Sequence, residues 1–155
     1  MKRNQNLVPF SHDHHQGLLF ALRIKKGVAN SSSPNVLVEF IKDFWYNHLA
    51  LHFDEEDRLL LPHKDIGQSE WMKFIDDHKE IRALISIIES SDEKNVLNFT
   101  AQLANKIEAH IRFEERKLFP FIEGRLSSSQ LEVIGDGLKN HPDACHNFTP
   151  EFWKV

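Results

Sequence analysis

"HFDEEDRLLLP" occupies His52–Pro62, and "HIRFEERKLFP" occupies His110–Pro120. Superposed, the two stretches share a histidine and a glutamate four residues later, Glu56 and Glu114. They also share a following acidic residue (Asp57, Glu115), a leucine (Leu60, Leu118) and a proline. On a helix, positions i and i+4 are neighbours on one face. Each copy therefore presents an imidazole and a carboxylate side by side, and the reading of both as helix decides the fold.

Working outward, the apolar period of Leu37, Phe40, Ile41 and Phe44 continues through His48, His52, Glu55 and Leu59. It predicts a helix from Pro34 to about Pro62, capped by Ser33 and on the order of 40 Å long. A first helix is expected from Ser11 to Gly27, with Leu18, Leu19 and Leu22 as its stripe. A third follows an N-cap at Ser69, with Phe74, His78, Ile81, Leu84, Ile85 and Ile88 facing inward. The fourth spans about Glu93–Gly124, with Leu103, Ile107, His110, Ile111, Glu114 and Leu118 on one side and a bend or end near Pro120. A short fifth helix is expected over Ser127–Leu138, then an irregular tail. No stretch alternates as a strand does. The expectation is an all-α, antiparallel four-helix bundle with a short C-terminal helix and tail. It forms a single domain over 1–155, the bundle covering about 8–124 and the C-terminal helix and tail 125–155.

The bulk numbers agree with one such domain: 155 residues suffice for a core without disulfides. A net charge of −4 leaves no basic footprint for nucleic acid or an anionic membrane. The single Cys145 and the lack of an apolar leader point to a reducing, cytoplasmic setting, and no apolar run spans a membrane. The unusual feature is ten histidines, many in helical segments.

Two hairpins of one type emerge. Each has a helix with one inward histidine, His15 or His78, followed by a helix with H-x-x-x-E. His15 is chosen over His12 and His14 because Leu18 and Leu22 follow it at the offsets at which Ile81 and Ile85 follow His78. His12 and His14 are then outer donors that orient a glutamate or guard an open position. Glu55 lies nearer the stripe on a helical wheel, but the repeat aligns Glu56 with Glu114, and ligand spacing favours Glu56. Folded face to face, the hairpins gather His15, His52, His78, His110, Glu56 and Glu114. Buried carboxylates are costly unless paired or metal-bound. Imidazole with carboxylate and no thiolate suits iron, manganese or zinc. Glu115 and Asp57 are read as bracing or surface carboxylates. Trp45, Phe44, Phe53, Phe113 and Phe119 are read as bundle packing. His48 is either a further ligand or a packing histidine. His141, Cys145 and His146 sit close together in the tail and could be a second metal site or redox thiol, although a lone polar-tail cysteine is usually neither.

"LVPFSHDHHQGLLFALRI", "FWYNHLALHFDEE", "DDHKEIRAL" and "HIRFEERKLFPFIE", in this order over about residues 7–123, resemble the hemerythrin-like (HHE cation-binding) family. The resemblance implies an oxo- or hydroxo-bridged non-haem di-iron centre that meets dioxygen, peroxide or nitric oxide in sensing or stress defence. It also implies terminal ligands at His15, His52, His78 and His110, with Glu56 and Glu114 bridging. Oxygen-carrying members place a second histidine on the third helix, where this chain has Phe74. With about six positions per metal, that leaves roughly two open, unless His48 or His14 fills one. The departure points to reactivity or metal exchange rather than reversible carriage. The alternatives are an iron storage, delivery or sensing protein with a labile site, and a zinc-bound or metal-free interaction bundle. A protein partner or a homodimer stays open.

Overall fold

In the computed structural model, which describes residues 2–143 and 145–154, four long helices and one short one account for the core. A 3₁₀ turn at Gln5–Leu7 leads into α1, Val8–Ala29. This helix starts three residues before the expected Ser11, because Pro9 fits the first turn, where an N–H has no helical partner. It also runs through Gly27. That glycine is a close approach rather than a stop: a Cβ there would sit 2.6 Å from Phe152 Cε2 and 2.7 Å from Leu37 Cδ2. The chain reverses at Ser31, whose φ of 56° is left-handed.

Helix α2 covers 34–60, and a 3₁₀ stretch at Leu61–Ile66 follows it. Helix α3 is Ser69–Ser90. Helix α4 covers 93–125, and its first turn is capped by Asp92, which accepts from the Asn95 N–H. Helix α5, Ser128–Gly137, opens with a reciprocal capping box between Ser127 and Gln130. Two expected caps differ. Ser33 occupies the N-cap position without a side-chain bond, and Ser69 lies inside the helix behind Gln68. No strand occurs among the described residues. None of their helices is long and apolar enough to cross a membrane.

Two irregular turns set the registers. One π-helical turn covers Trp45–Leu49 within α2, and another covers Glu114–Leu118 within α4. There the N–H of Ala50 reaches the Trp45 carbonyl, and that of Phe119 reaches the Glu114 carbonyl, five residues back in each case. Each wide turn accommodates one extra residue. The second lies just before Pro120, whose ring would otherwise press on a carbonyl of regular helix, so α4 passes through the proline instead of ending there.

The bundle interior has two apolar ends. One holds Phe20, Ile24, Phe40, Ile85 and Leu103, with Phe152 packed against it. The other holds Leu7, Phe74, Leu118, Phe119 and Ile134 of α5. Between them lies a layer of buried polar side chains.

Candidate metal centre

That layer contains His14 from α1, His52 and Glu56 from α2, His78 from α3, and His110 and Glu114 from α4, all buried. His14 Nε2 lies 2.9 Å from Glu114 Oε2 and 3.4 Å from Glu56 Oε1. His52 Nε2 is 3.1 Å from Glu56 Oε1, and His78 Nε2 is 3.3 Å from Glu56 Oε2. His110 Nε2 is 3.2 Å from Glu114 Oε1. The donor atoms form two groups, His14–His52–Glu56–Glu114 and His78–His110–Glu56–Glu114. Within each, the ligand atoms all lie within 4.8 Å of one another. The groups share both glutamates.

The helix α1 member is His14, which corrects the sequence expectation of His15. His14 is 2 % exposed, whereas His15 and His12 face solvent. The inward face of α1 runs Phe10, His14, Gly17, Ala21, Ile24, while Leu18 is half-buried and Leu22 is 47 % exposed. Leucines at the offsets of Ile81 and Ile85 suggested His15. The inward residues at those offsets from His14 are the small Gly17 and Ala21, which an apolar-stripe argument passes over. The signal that finds His14 is a second repeat, Asp13-His14 matching Asp77-His78.

The choice of Glu56 over Glu55 also has a structural cause. A regular helix extended from Leu37–Phe44 brings Glu55 inward. The extra residue in the π turn at Trp45–Leu49 advances the inward face to Leu49, His52, Phe53 and Glu56. Glu55 instead meets His141.

A ring of carboxylates surrounds the centre. His52 Nδ1 bonds Asp13 at 2.9 Å, His78 Nδ1 bonds Asp57 at 2.8 Å, His110 Nδ1 bonds Asp77 at 3.2 Å, and His14 Nδ1 bonds Glu115 at 2.7 Å. Each acid comes from the helix preceding its histidine's own, or, for Glu115 and His14, from α4 to α1. Holding Nδ1 this way fixes the ring and aims Nε2 at the centre. The Nε2 atoms of His14, His78 and His110 and all four oxygens of Glu56 and Glu114 are buried, form no well-directed hydrogen bond and have only one another as close polar neighbours. Such atoms are expensive to strand and call for a ligand. A nitrogen and oxygen donor set of this composition fits divalent first-row metal ions.

Burial alone would push these imidazoles toward the neutral form, but the surrounding carboxylates outweigh it. The Glu56 charge and the Asp13 bond hold His52 up at about 9. Glu114 and Asp77 do the same for His110, also at about 9. Glu114, Glu115 and Glu56 raise His14 well above its ordinary value, and Asp57 and Glu56 raise His78. Burial likewise opposes ionisation of the acids, and their partners overcome it. His52 and His14 hold Glu56 far down, and His14, Ser11 and Arg3 bring Glu115 to about 2. The carboxylates thus favour the protonated imidazoles, and a metal ion binding there competes with those protons.

The two halves are not equivalent. Phe53 stacks on His78 at 4.0 Å between ring centroids, and Phe74, at the position of the additional family histidine, packs on the same ring at 4.2 Å. On the His14 side, Ile111 occupies the place matching Phe53 in the repeat, and Gly17 the place matching Ile81. A Cβ on Gly17 would meet Ile111 Cδ1 at 2.6 Å. These smaller residues leave a cavity of about 30 Å³ against His14, His52 and His110, with His48, His141 and Phe44 among its walls. Its size suits a water or a diatomic molecule. His48 stands at this cavity rather than in either donor group. Phe119 stacks on His14 at 5.3 Å, so this expected packing residue also covers a ring of the candidate centre.

The tail residues do not assemble a second centre among the described residues. His141 Nδ1 bonds Glu55 while its Nε2 lies 2.7 Å from Asp13 Oδ2 as an ion-pair contact, His146 bonds Asp43 at 2.5 Å, and Cys145 is exposed.

Among known proteins, the chain is 28 % identical over 106 residues to a DNA nickase of Nostoc sp. (strain PCC 7120). That match covers 66 % of this chain and 30 % of the nickase. No solved structure matches significantly. Residues 5–122 match the Hemerythrin HHE cation binding domain, a span that includes all six buried donors, and the chain belongs to that family.

Proposed function

We propose that the chain is a non-haem di-iron protein that binds or reacts with dioxygen, peroxide or nitric oxide. The observation that carries this reading is the pair of four-donor groups sharing Glu56 and Glu114. Two imidazoles and two shared carboxylates per metal leave room for a small bridge and roughly one open position each. The cavity lies against His14 and His52, where a small oxidant could reach a bound ion, while Phe53 and Phe74 pack on the His78 ring. Bound iron would supply the electrons and the binding site for the oxidant. The protein's residues fix the four Nε2 atoms, keep bulk water out and shape the approach.

Storage or delivery of labile iron is the weaker reading, because every imidazole is locked by its own carboxylate, which favours retention. A metal-free interaction bundle would have to keep these imidazoles and both carboxylates buried with only one another as partners. DNA strand cleavage is not part of the reading, since the chain spans less than a third of the nickase's length and its net charge is −4.

The test is anaerobic reconstitution with Fe(II), then metal analysis and optical spectra on exposure to dioxygen or nitric oxide. About two irons per chain and a ligand-to-metal charge-transfer band are expected. Fewer than about one iron per chain, with no such band, overturns the proposal. Gly17→Val should fill the cavity, leave the iron content unchanged and slow the nitric oxide reaction. An unchanged rate would remove the cavity from the mechanism.

A further inference from the structure

We propose that the segment following α5 is an outer strut of the metal centre, with His141 as the positioning residue for Asp13 and, through Asp13, for the His52 imidazole. The inference rests on the metal-centre reading above and adds a part to it.

The ring carboxylates differ in what holds them from outside. Glu115 is bonded by Arg3 Nη2 at 2.8 Å and by Ser11 Oγ at 2.7 Å. Asp57 is bonded by Arg82 Nη2 at 2.8 Å. Asp77 is bonded by Lys73 at 2.9 Å and paired with Lys106 at 2.7 Å. These partners come from the bundle helices, apart from Arg3 just ahead of α1. Asp13 has no lysine or arginine partner among the described residues. Its outer partner is His141, whose Nε2 makes an ion-pair contact with Asp13 Oδ2 at 2.7 Å. The other ring nitrogen of His141 bonds Glu55, next to the shared ligand Glu56. One imidazole from outside the bundle thus ties α1 to α2 beside the two ligands of the cavity-facing half. It forms part of the cavity wall together with Pro142.

The segment is anchored beyond His141. His146 bonds Asp43 at 2.5 Å, Phe152 fits against Gly27, and Arg23 lies 4.3 Å from the Trp153 ring. Phe152 and His146 are buried in these contacts, whereas His141 belongs to neither apolar cluster, so it can be altered without removing a core side chain of the four helices. Three carboxylates are braced by fixed cations and one by this segment. Loosening it should therefore disturb the His14–His52 half and spare the His78–His110 half.

The experiment uses Co(II) as the probe, bound to the full chain and followed by its d–d absorption during release to a chelator. In wild type, two release phases are expected. His141→Ala should accelerate one phase by about tenfold and leave the other in place. Asp13→Asn should accelerate the same phase, and the double variant should add nothing. His141→Gln, which keeps a donor toward Asp13, should restore most of the wild-type rate. Arg82→Ala, which releases Asp57 and thus His78, should act on the other phase. Unchanged kinetics in His141→Ala, or equal acceleration of both phases, overturns the proposal. A wild-type chain that takes up no cobalt instead counts against the metal-centre reading. The strut is then judged on the metal-free protein by ¹⁵N resonances of the histidine rings. A shift at His52 with His78 and His110 unmoved supports it, and no shift at His52 overturns it.

Discussion

Replacing His14 removes one of two imidazoles from half of the centre, whereas replacing its neighbour His15 touches only solvent. His14→Ala should therefore bind about one metal ion per chain where wild type binds about two, and His15→Ala should bind as wild type does. Metal analysis after reconstitution separates the two, and a loss of metal in His15→Ala would contradict the burial pattern. The same position shows how far single residues can be read from sequence. His52, Glu56, His110 and Glu114 follow from the duplicated spacing and His78 from the apolar stripe of its helix, and all five share one buried layer. His14 was obscured because the inward face of α1 uses glycine and alanine where α3 uses isoleucines. A hydrophobic stripe is a poor guide when close helix contact or a cavity, rather than bulk, determines the side chain. The ring acids Asp13 and Asp77 gave no apolar signal, since they are recognisable only by what they bond.

At the scale of the helix, the two π turns are the features that periodicity could not anticipate. Helix boundaries were legible within a few residues, because prolines, caps and apolar period all act locally. An extra residue inside a helix has no local signature, yet it rotates everything after it. The competition between Glu55 and Glu56 is the visible trace of the turn at Trp45–Leu49. The turn at Glu114–Leu118 makes a sharper prediction. Arg116 is exposed within it. Deleting Arg116 should convert the stretch to regular α-helix while keeping both flanks in register. Pro120 would then sit in an unrelieved helix, at a penalty of about 3 kcal/mol. Combining the deletion with Pro120→Ala should recover most of that stability. Denaturant melts of the three proteins check this, and a deletion no better tolerated with alanine than with proline would refute it.

Across the whole molecule, the polar layer makes metal-free stability depend on pH in a definite sense. The imidazoles titrate above their ordinary 6.5, with His52 and His110 at about 9. Their contribution is complete below about pH 6.5 and is lost as the pH rises through 9. The ring acids titrate below their ordinary values, Glu115 at about 2 against 4.5, so their contribution is complete above pH 4.5 and fades as the pH falls toward 2. The melting temperature of metal-free protein should peak between these limits and decline on the alkaline side by pH 9. Metal loading should flatten that decline, since an ion replaces the protons. A metal-free melting temperature that rises from pH 6.5 to 9 would contradict the linkage. The ring has a further consequence for assembly. Inside each hairpin only one acid–imidazole pair closes, Asp13 with His52 or Asp77 with His110. The remaining pairs, Asp57 with His78 and Glu115 with His14, join one hairpin to the other. Severed between Asp65 and Ile66, the chain becomes two polypeptides, each carrying one dangling acid, one dangling imidazole and one of the two shared glutamates. Neither should hold its helices alone. Mixed with a divalent ion, they should regain helicity as a metal-dependent heterodimer, a split protein whose halves recognise each other through the centre they build.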